Sequence, residues 1–124
     1  MQLNHLNLCT NEVAALSDFF TRYFGFELVA MRGKEALAIL QGTDGFALNL
    51  MQPSKGAVTA YPGSFHVGFL VKDAEQVLAK HRELTGAGLE PGELQKLTRG
   101  GMATSIFYCV APGGILVEVS AQAH

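Results

Sequence analysis

Four residues whose chemistry does not suit apolar strands interrupt them: His5 in "LNHLNLC", Asn49 in "FALNLM", His66 in "FHVGFLV" and Glu118 in "ILVEVS". Taken singly, a histidine in such a run is more often a hydrogen-bonded packing residue than a ligand. Taken as a set, two imidazoles and one carboxylate form a metal site that leaves coordination positions open for water or substrate. Zinc, manganese, iron(II), cobalt and nickel all suit those donors, and the residues do not choose among them. A buried Glu118 has to be protonated, hydrogen-bonded or paired, and a divalent cation is the natural compensation for its charge. The plainer alternatives are a strand-end carboxylate in water for Glu118 and a surface residue near the N-terminus for His5.

Whether these residues meet depends on the elements that carry them, and the chain states one pattern twice. "LNHLNLC" alternates as a strand does, Asn11 is an expected N-cap, and a helix should run to about Phe24 with Val13, Leu16, Phe20 and Phe24 on one face and Gly25 as its stop. "FELVAM", "EALAIL" and "FALNLM" follow as three strands, separated by turns at Arg32-Gly33 and at 42–45. A linker-like segment, "QPSKGAVTAYPG" (52–63), comes next. The pattern then restarts. "FHVGFLV" is a strand, and Asp73 caps a helix to about Thr85 that Gly86 ends, with Val77, Leu78 and Leu84 facing the core and Gln76 placed for a capping box. A weak strand is expected around Leu89–Leu97, then "ATSIFYCV" and "ILVEVS" joined by the turn 111–114. The fold class this predicts is α+β: two βαβββ modules, about 1–52 and 64–124, within a single domain over 1–124.

Superposing the modules matches chemistry with chemistry. His5 stands six residues before Asn11, His66 seven before Asp73, and "GFALNL" lies over "GILVEV", so Asn49 falls on Glu118. Histidines scattered through a core have no reason to obey an internal repeat. Strand parity is an independent test, because alternate side chains share a face. His5 shares its face with Asn7 and Cys9, opposite Leu6 and Leu8; Asn49 opposes Leu48 and Leu50; Glu118 opposes Val117 and Val119. His66 is less clean, since Leu70 shares its side. With helices over the apolar faces, the polar faces would bend into a common cup.

Composition narrows the class. A hydrophobic share of 48% and a charged share of 16% belong to an ordered globular chain. A net charge of −2 gives no reason to expect nucleic acid or a membrane surface as partner. The N-terminal residues lack a signal-peptide pattern, and no apolar run is long enough for a membrane span, so a cytoplasmic protein is expected. Cys9 and Cys109 have no zinc-type spacing; reduced thiols are the default, with one disulfide left open.

The paired modules, with "NHLNL" opening and "APGGILVEV" closing, resemble the vicinal oxygen chelate superfamily, which includes glyoxalase I, methylmalonyl-CoA epimerase, fosfomycin-resistance thiol transferases, extradiol dioxygenases and bleomycin-resistance proteins. "DFFTRYFGFELV" is similar to that family's first helix and its exit, and "RGGMATSIFYCVAPGG" to its approach to the last strand. The resemblance implies a cupped, mixed β-sheet barrel with helices outside and a divalent metal on His5, His66 and Glu118. It also implies a homodimer, with the barrel built within one chain or by exchange between two. Glyoxalase I has a glutamate where this chain has Asn49, and an amide cannot take up a proton at neutral pH; Asn49 is left as a fourth ligand or a support for the others. Tyr108, ten before Glu118, matches the site tyrosine of the extradiol dioxygenases, whose acid–base histidine has no counterpart here.

Among the remaining residues, Arg99 could bind an anionic substrate group or be an ordinary loop arginine. His81 is expected to pack on its helix, Cys9 to be a small residue beside the site, and His124, the last residue, to be disordered. Two functions follow from different classes. One is a metalloenzyme acting on a small oxygen-rich substrate by lyase, isomerase, thiol-transferase or dioxygenase chemistry. The other is a non-catalytic ligand-sequestering protein of bleomycin-resistance type.

Overall fold

The computed structural model describes residues 1–55, 57 and 60–122. His124 and three positions of the linker-like segment (56, 58 and 59) lie outside the described residues. The chain divides into two compact units, Met1–Tyr61 and Pro62–His124.

The first unit runs β1 (His5–Cys9), α1 (Val13–Tyr23), β2 (Glu27–Arg32), β3 (Leu37–Gln41) and β4 (Ala47–Met51). The second repeats it with β5 (His66–Leu70), α2 (Ala74–Gly86), β6 (Gln95–Arg99), β7 (Met102–Val110) and β8 (Leu116–Gln122). Each unit holds one open, mixed four-stranded sheet, in the orders β1-β4-β3-β2 and β5-β8-β7-β6. In each, the first strand pairs parallel with the last, and the other pairings are antiparallel. Among the described residues the expected α+β class and both βαβββ modules are therefore present.

Each helix covers the apolar face of its own sheet: α1 packs on β2, β3 and β4, and α2 on β7 and β8. In the first unit Leu8, Val13, Leu16, Phe19, Phe20, Leu40, Leu48 and Leu50 are buried. In the second, Val77, Leu84, Phe107, Ile115, Val117 and Val119 play that part. Each such side chain stabilises the fold by about 1.5–3 kcal/mol relative to leaving it in water. In β3 and β4 burial alternates residue by residue, and the opposite row of each strand faces away from the core.

The details depart from expectation at three element ends. Glu12, not Asn11, is the N-cap of α1, and the buried Thr10 hydroxyl accepts the Glu12 N–H at 2.9 Å. Asp73 does cap α2, accepting the Gln76 N–H at 2.9 Å, while Gln76 reaches one residue further back, to the Lys72 N–H. The left-handed stop of α2 falls on Gly88 (φ +82°), since Gly86 is still helical. Leu78, expected in the core, lies at the rim with 36% of its surface exposed. No described helix is long and apolar enough to cross a membrane.

Candidate metal centre

Four of the expected site residues converge in the second unit. The β5–β8 pairing sets His66 against Leu116 and Gly68 against Glu118, and the β7–β8 pairing sets Tyr108 against Glu118. Because side chains alternate, His66, Tyr108 and Glu118 then share the face that α2 leaves uncovered. Arg99 reaches them from the end of β6. The Gly100-Gly101 turn behind it has both φ values positive, +54° and +79°, the backbone of the type I′ turns that suit two-residue hairpins.

Glu118 is 6% exposed and is the one acidic residue buried among those described. Its carboxylate is shared. Oε2 lies 3.2 Å from His66 Nε2, and Oε1 accepts a hydrogen bond from Arg99 Nη1 at 3.3 Å. The second arm of the guanidinium, Nη2, donates to the Tyr108 hydroxyl at 3.2 Å. The His66 ring stands edge-on to Tyr108, with centroids 5.9 Å apart. The hydrogen bond to Tyr108, and then the Glu118 charge, hold the Arg99 guanidinium above its ordinary pKa, so it is a permanent cation here.

Each ring nitrogen of the His66 imidazole faces an oxygen. His66 Nδ1 lies 2.9 Å from the Ser64 carbonyl oxygen, which can only accept, so Nδ1 carries the proton. In the neutral ring Nε2 is then a bare lone pair turned toward a carboxylate oxygen. Two lone pairs facing each other repel unless a proton or a cation lies between them. Donors each about 2.1 Å from one divalent ion, at angles of about 90–110°, stand about 3.0–3.4 Å apart. The 3.2 Å separation of Nε2 and Oε2 fits that spacing. A histidine whose far nitrogen is fixed by a backbone carbonyl is also the usual form of a metal-binding histidine.

The first unit carries the equivalent positions with different chemistry. His5 pairs with Ala47 and Asn7 with Asn49, the same register as His66 with Leu116 and Gly68 with Glu118. His5 is exposed, and its Nδ1 donates to the Asn4 side-chain oxygen at 2.8 Å. Asn49 Nδ2 donates to Asn7 Oδ1 at 2.8 Å. An amide pair thus stands where the second unit has a carboxylate opposite a glycine. Among the described residues no three His, Cys, Asp or Glu side chains gather closely enough to hold an ion. The second unit supplies two of the three expected ligands; His5 belongs to the other unit.

His81 behaves as a packing residue: its ring is edge-on to Phe107 at 5.0 Å, and Nε2 donates to the Gly92 carbonyl at 2.9 Å. Both cysteines are free thiols. Burial pushes the Cys109 thiol up. The Cys9 backbone is clamped by Tyr61, whose hydroxyl accepts its N–H (2.8 Å) and donates to its carbonyl (2.6 Å). A groove of about 390 Å3 at the start of α2, lined by Lys72, Asp73, Lys96, Thr104 and Gln122, contains none of the candidate residues. Sequence reasoning missed Ser64 and Gly68, and it places Asn7 on the His5 face without giving it a role. The repeat does hold the signal for Asn7 and Gly68, because the register that aligns Asn49 with Glu118 also aligns Asn7 with Gly68.

Comparisons with known proteins agree with this fold. The model of the Glyoxalase/Bleomycin resistance protein/Dioxygenase superfamily matches residues 2–119. A possible glyoxalase from Bacillus cereus is 35% identical, with a TM-score of 0.76 over 96% of this chain and 97% of that one. A glyoxylase/bleomycin resistance protein/dioxygenase domain from a Frankia species reaches a TM-score of 0.80 at 17% identity, over 100% of this chain and 93% of that one. Lactoylglutathione lyase from Agrobacterium tumefaciens reaches 0.73 at 16% identity, covering 97% and 92%. At such identities the last two speak for the fold alone. No curated protein matches the sequence.

Proposed function

Because the chain belongs to the glyoxalase/bleomycin resistance protein/dioxygenase superfamily, we propose that it is a metal-dependent enzyme acting on a small molecule with neighbouring oxygens. His66, Glu118 and His5 are its metal ligands in this reading, with the two units working as one domain. The observation that carries the reading is the 3.2 Å approach of His66 Nε2 to Glu118 Oε2 while Nδ1–H is committed to Ser64. A divalent ion held there, zinc, manganese, iron, nickel or cobalt, would supply Lewis-acid stabilisation of charge developing on the substrate oxygens. Tyr108 has a hydroxyl on the same face, able to donate to or accept from a substrate oxygen, and Arg99 offers a fixed positive charge beside it. Asn49 serves as a hydrogen-bonding or ligand group and not as a base, since its amide binds no proton at neutral pH and already donates to Asn7. The reaction is therefore lyase, isomerase, thiol-transfer or dioxygenase chemistry in which the proton is carried by a group other than Asn49. A cytoplasmic homodimer, common in the superfamily, is part of the proposal.

Elemental analysis of protein purified without chelator tests it, together with activity on methylglyoxal–thiol adducts, fosfomycin and catechols. Wild type should hold stoichiometric metal, His66→Ala should lose metal and activity, and His81→Ala should keep both. Equal damage from the two substitutions would mean that the site is elsewhere. Wild-type protein empty of metal before and after reconstitution would instead be a ligand-sequestering protein of bleomycin-resistance type.

A further inference from the structure

Resting on the metal reading above, we infer that Arg99 and the divalent cation compete for Glu118, and that metal loading hands the Arg99 guanidinium to an anionic group of the substrate. Among the described residues the buried Glu118 carboxylate has two partners, the His66 imidazole on Oε2 and the Arg99 guanidinium on Oε1. Gly68, opposite it in the register, brings no side chain to share the charge, where the first unit has Asn7 bonded to Asn49. One buried negative charge cannot fully satisfy a guanidinium and a divalent ion together, because the two cations repel across a few ångströms. Arg99 is the one able to leave. Its side chain is 45% exposed and extends from a Gly-Gly hairpin end. Its other partner, the Tyr108 hydroxyl, is uncharged and keeps the guanidinium near the site after it releases Glu118. A guanidinium released in this way presents paired N–H donors matched to a carboxylate or phosphonate. The substrate class is accordingly a small anion with neighbouring oxygens, its charged group on Arg99.

Titrating the full-length protein with Mn2+, read by the electron paramagnetic resonance signal of the free ion, tests the inference without any assay of activity. Arg99→Gln should bind Mn2+ about fivefold more tightly than wild type, and Arg99→Lys, which keeps the charge, should stay close to wild type. Acetate at millimolar concentration should tighten Mn2+ binding by wild type and leave Arg99→Gln unchanged. Unchanged or weaker Mn2+ binding by Arg99→Gln would overturn the competition and make Arg99 a positioning residue for the carboxylate. An equal effect of acetate on both proteins would overturn the hand-over. Failure of both proteins to bind Mn2+, while circular dichroism shows them folded, would overturn the metal reading itself and this inference with it.

Discussion

A carboxylate as buried as Glu118 is stable only if its neighbours share its charge, and here one oxygen faces an imidazole while the other faces a guanidinium. Removing the charge and keeping the shape isolates what it does. Glu118→Gln should weaken Mn2+ binding by about a hundredfold or more, since a primary amide is a poor ligand for a hard cation. Thermal unfolding monitored in parallel should show the variant folded. Mn2+ affinity within about twofold of wild type, well short of that loss, would remove Glu118 from the ligand set. His66 and Glu118 were legible as candidates because each interrupts an apolar strand at matched places in a repeat. Ser64 was not, because a serine two residues before a strand carries no signal until the histidine ring is seen to bond its carbonyl.

The β6–β7 hairpin positions the cation of the site, and its tip depends on two glycines in left-handed backbone. Gly101→Ala meets no neighbour, because a Cβ there would have nothing within 4 Å, so its cost is conformational alone. Chemical denaturation should show a loss of about 1–2 kcal/mol. A neutral result would mean that the turn can relax to another type. The same hairpin shows why sequence reading placed this strand too early, around Leu89–Leu97. Every residue of β6 (Gln95–Arg99) is exposed, so no alternation marks it, and only its pairing with β7 defines it. Strands with one buried row, such as β4 and β8, were legible almost to the residue. At the start of α1 the cap lies one residue beyond the expected Asn11, because a buried Thr10 hydroxyl is available to the Glu12 N–H.

At the scale of the molecule, two copies of one βαβββ pattern share their pairing registers and differ in their polar residues, amides in one and an acid in the other. The segment after β4 is tied back to β1 by the Tyr61 hydroxyl, which bridges the Cys9 N–H and carbonyl. Burial raises the Tyr61 phenol above its ordinary value of 10.0. The unfolded chain therefore releases this proton at lower pH than the folded one. Stability from this group is fully present below the ordinary phenol value and is lost as pH rises from there through the raised folded value. Urea unfolding at pH 8 and pH 11 should show a smaller pH-dependent loss for Tyr61→Phe than for wild type. Equal losses would mean that the phenol ionises as freely in the fold as outside it. The repeat made both modules and the matched places of His5, His66, Asn49 and Glu118 legible, but a strand pattern within each half carries no record of which side chains surround them.

The central claim is that His66 and Glu118 are turned toward each other in order to hold a cation. Anomalous diffraction from crystals of the wild-type protein soaked in Mn2+ measures this most directly. The account predicts a peak bonded to His66 Nε2 and Glu118 Oε2, each at about 2.0–2.3 Å, with His5 of the same or a second chain completing the set. An Mn2+-soaked crystal with no peak at that pair, and His66 Nε2 still 3.2 Å from Oε2 with only a proton between them, would contradict it.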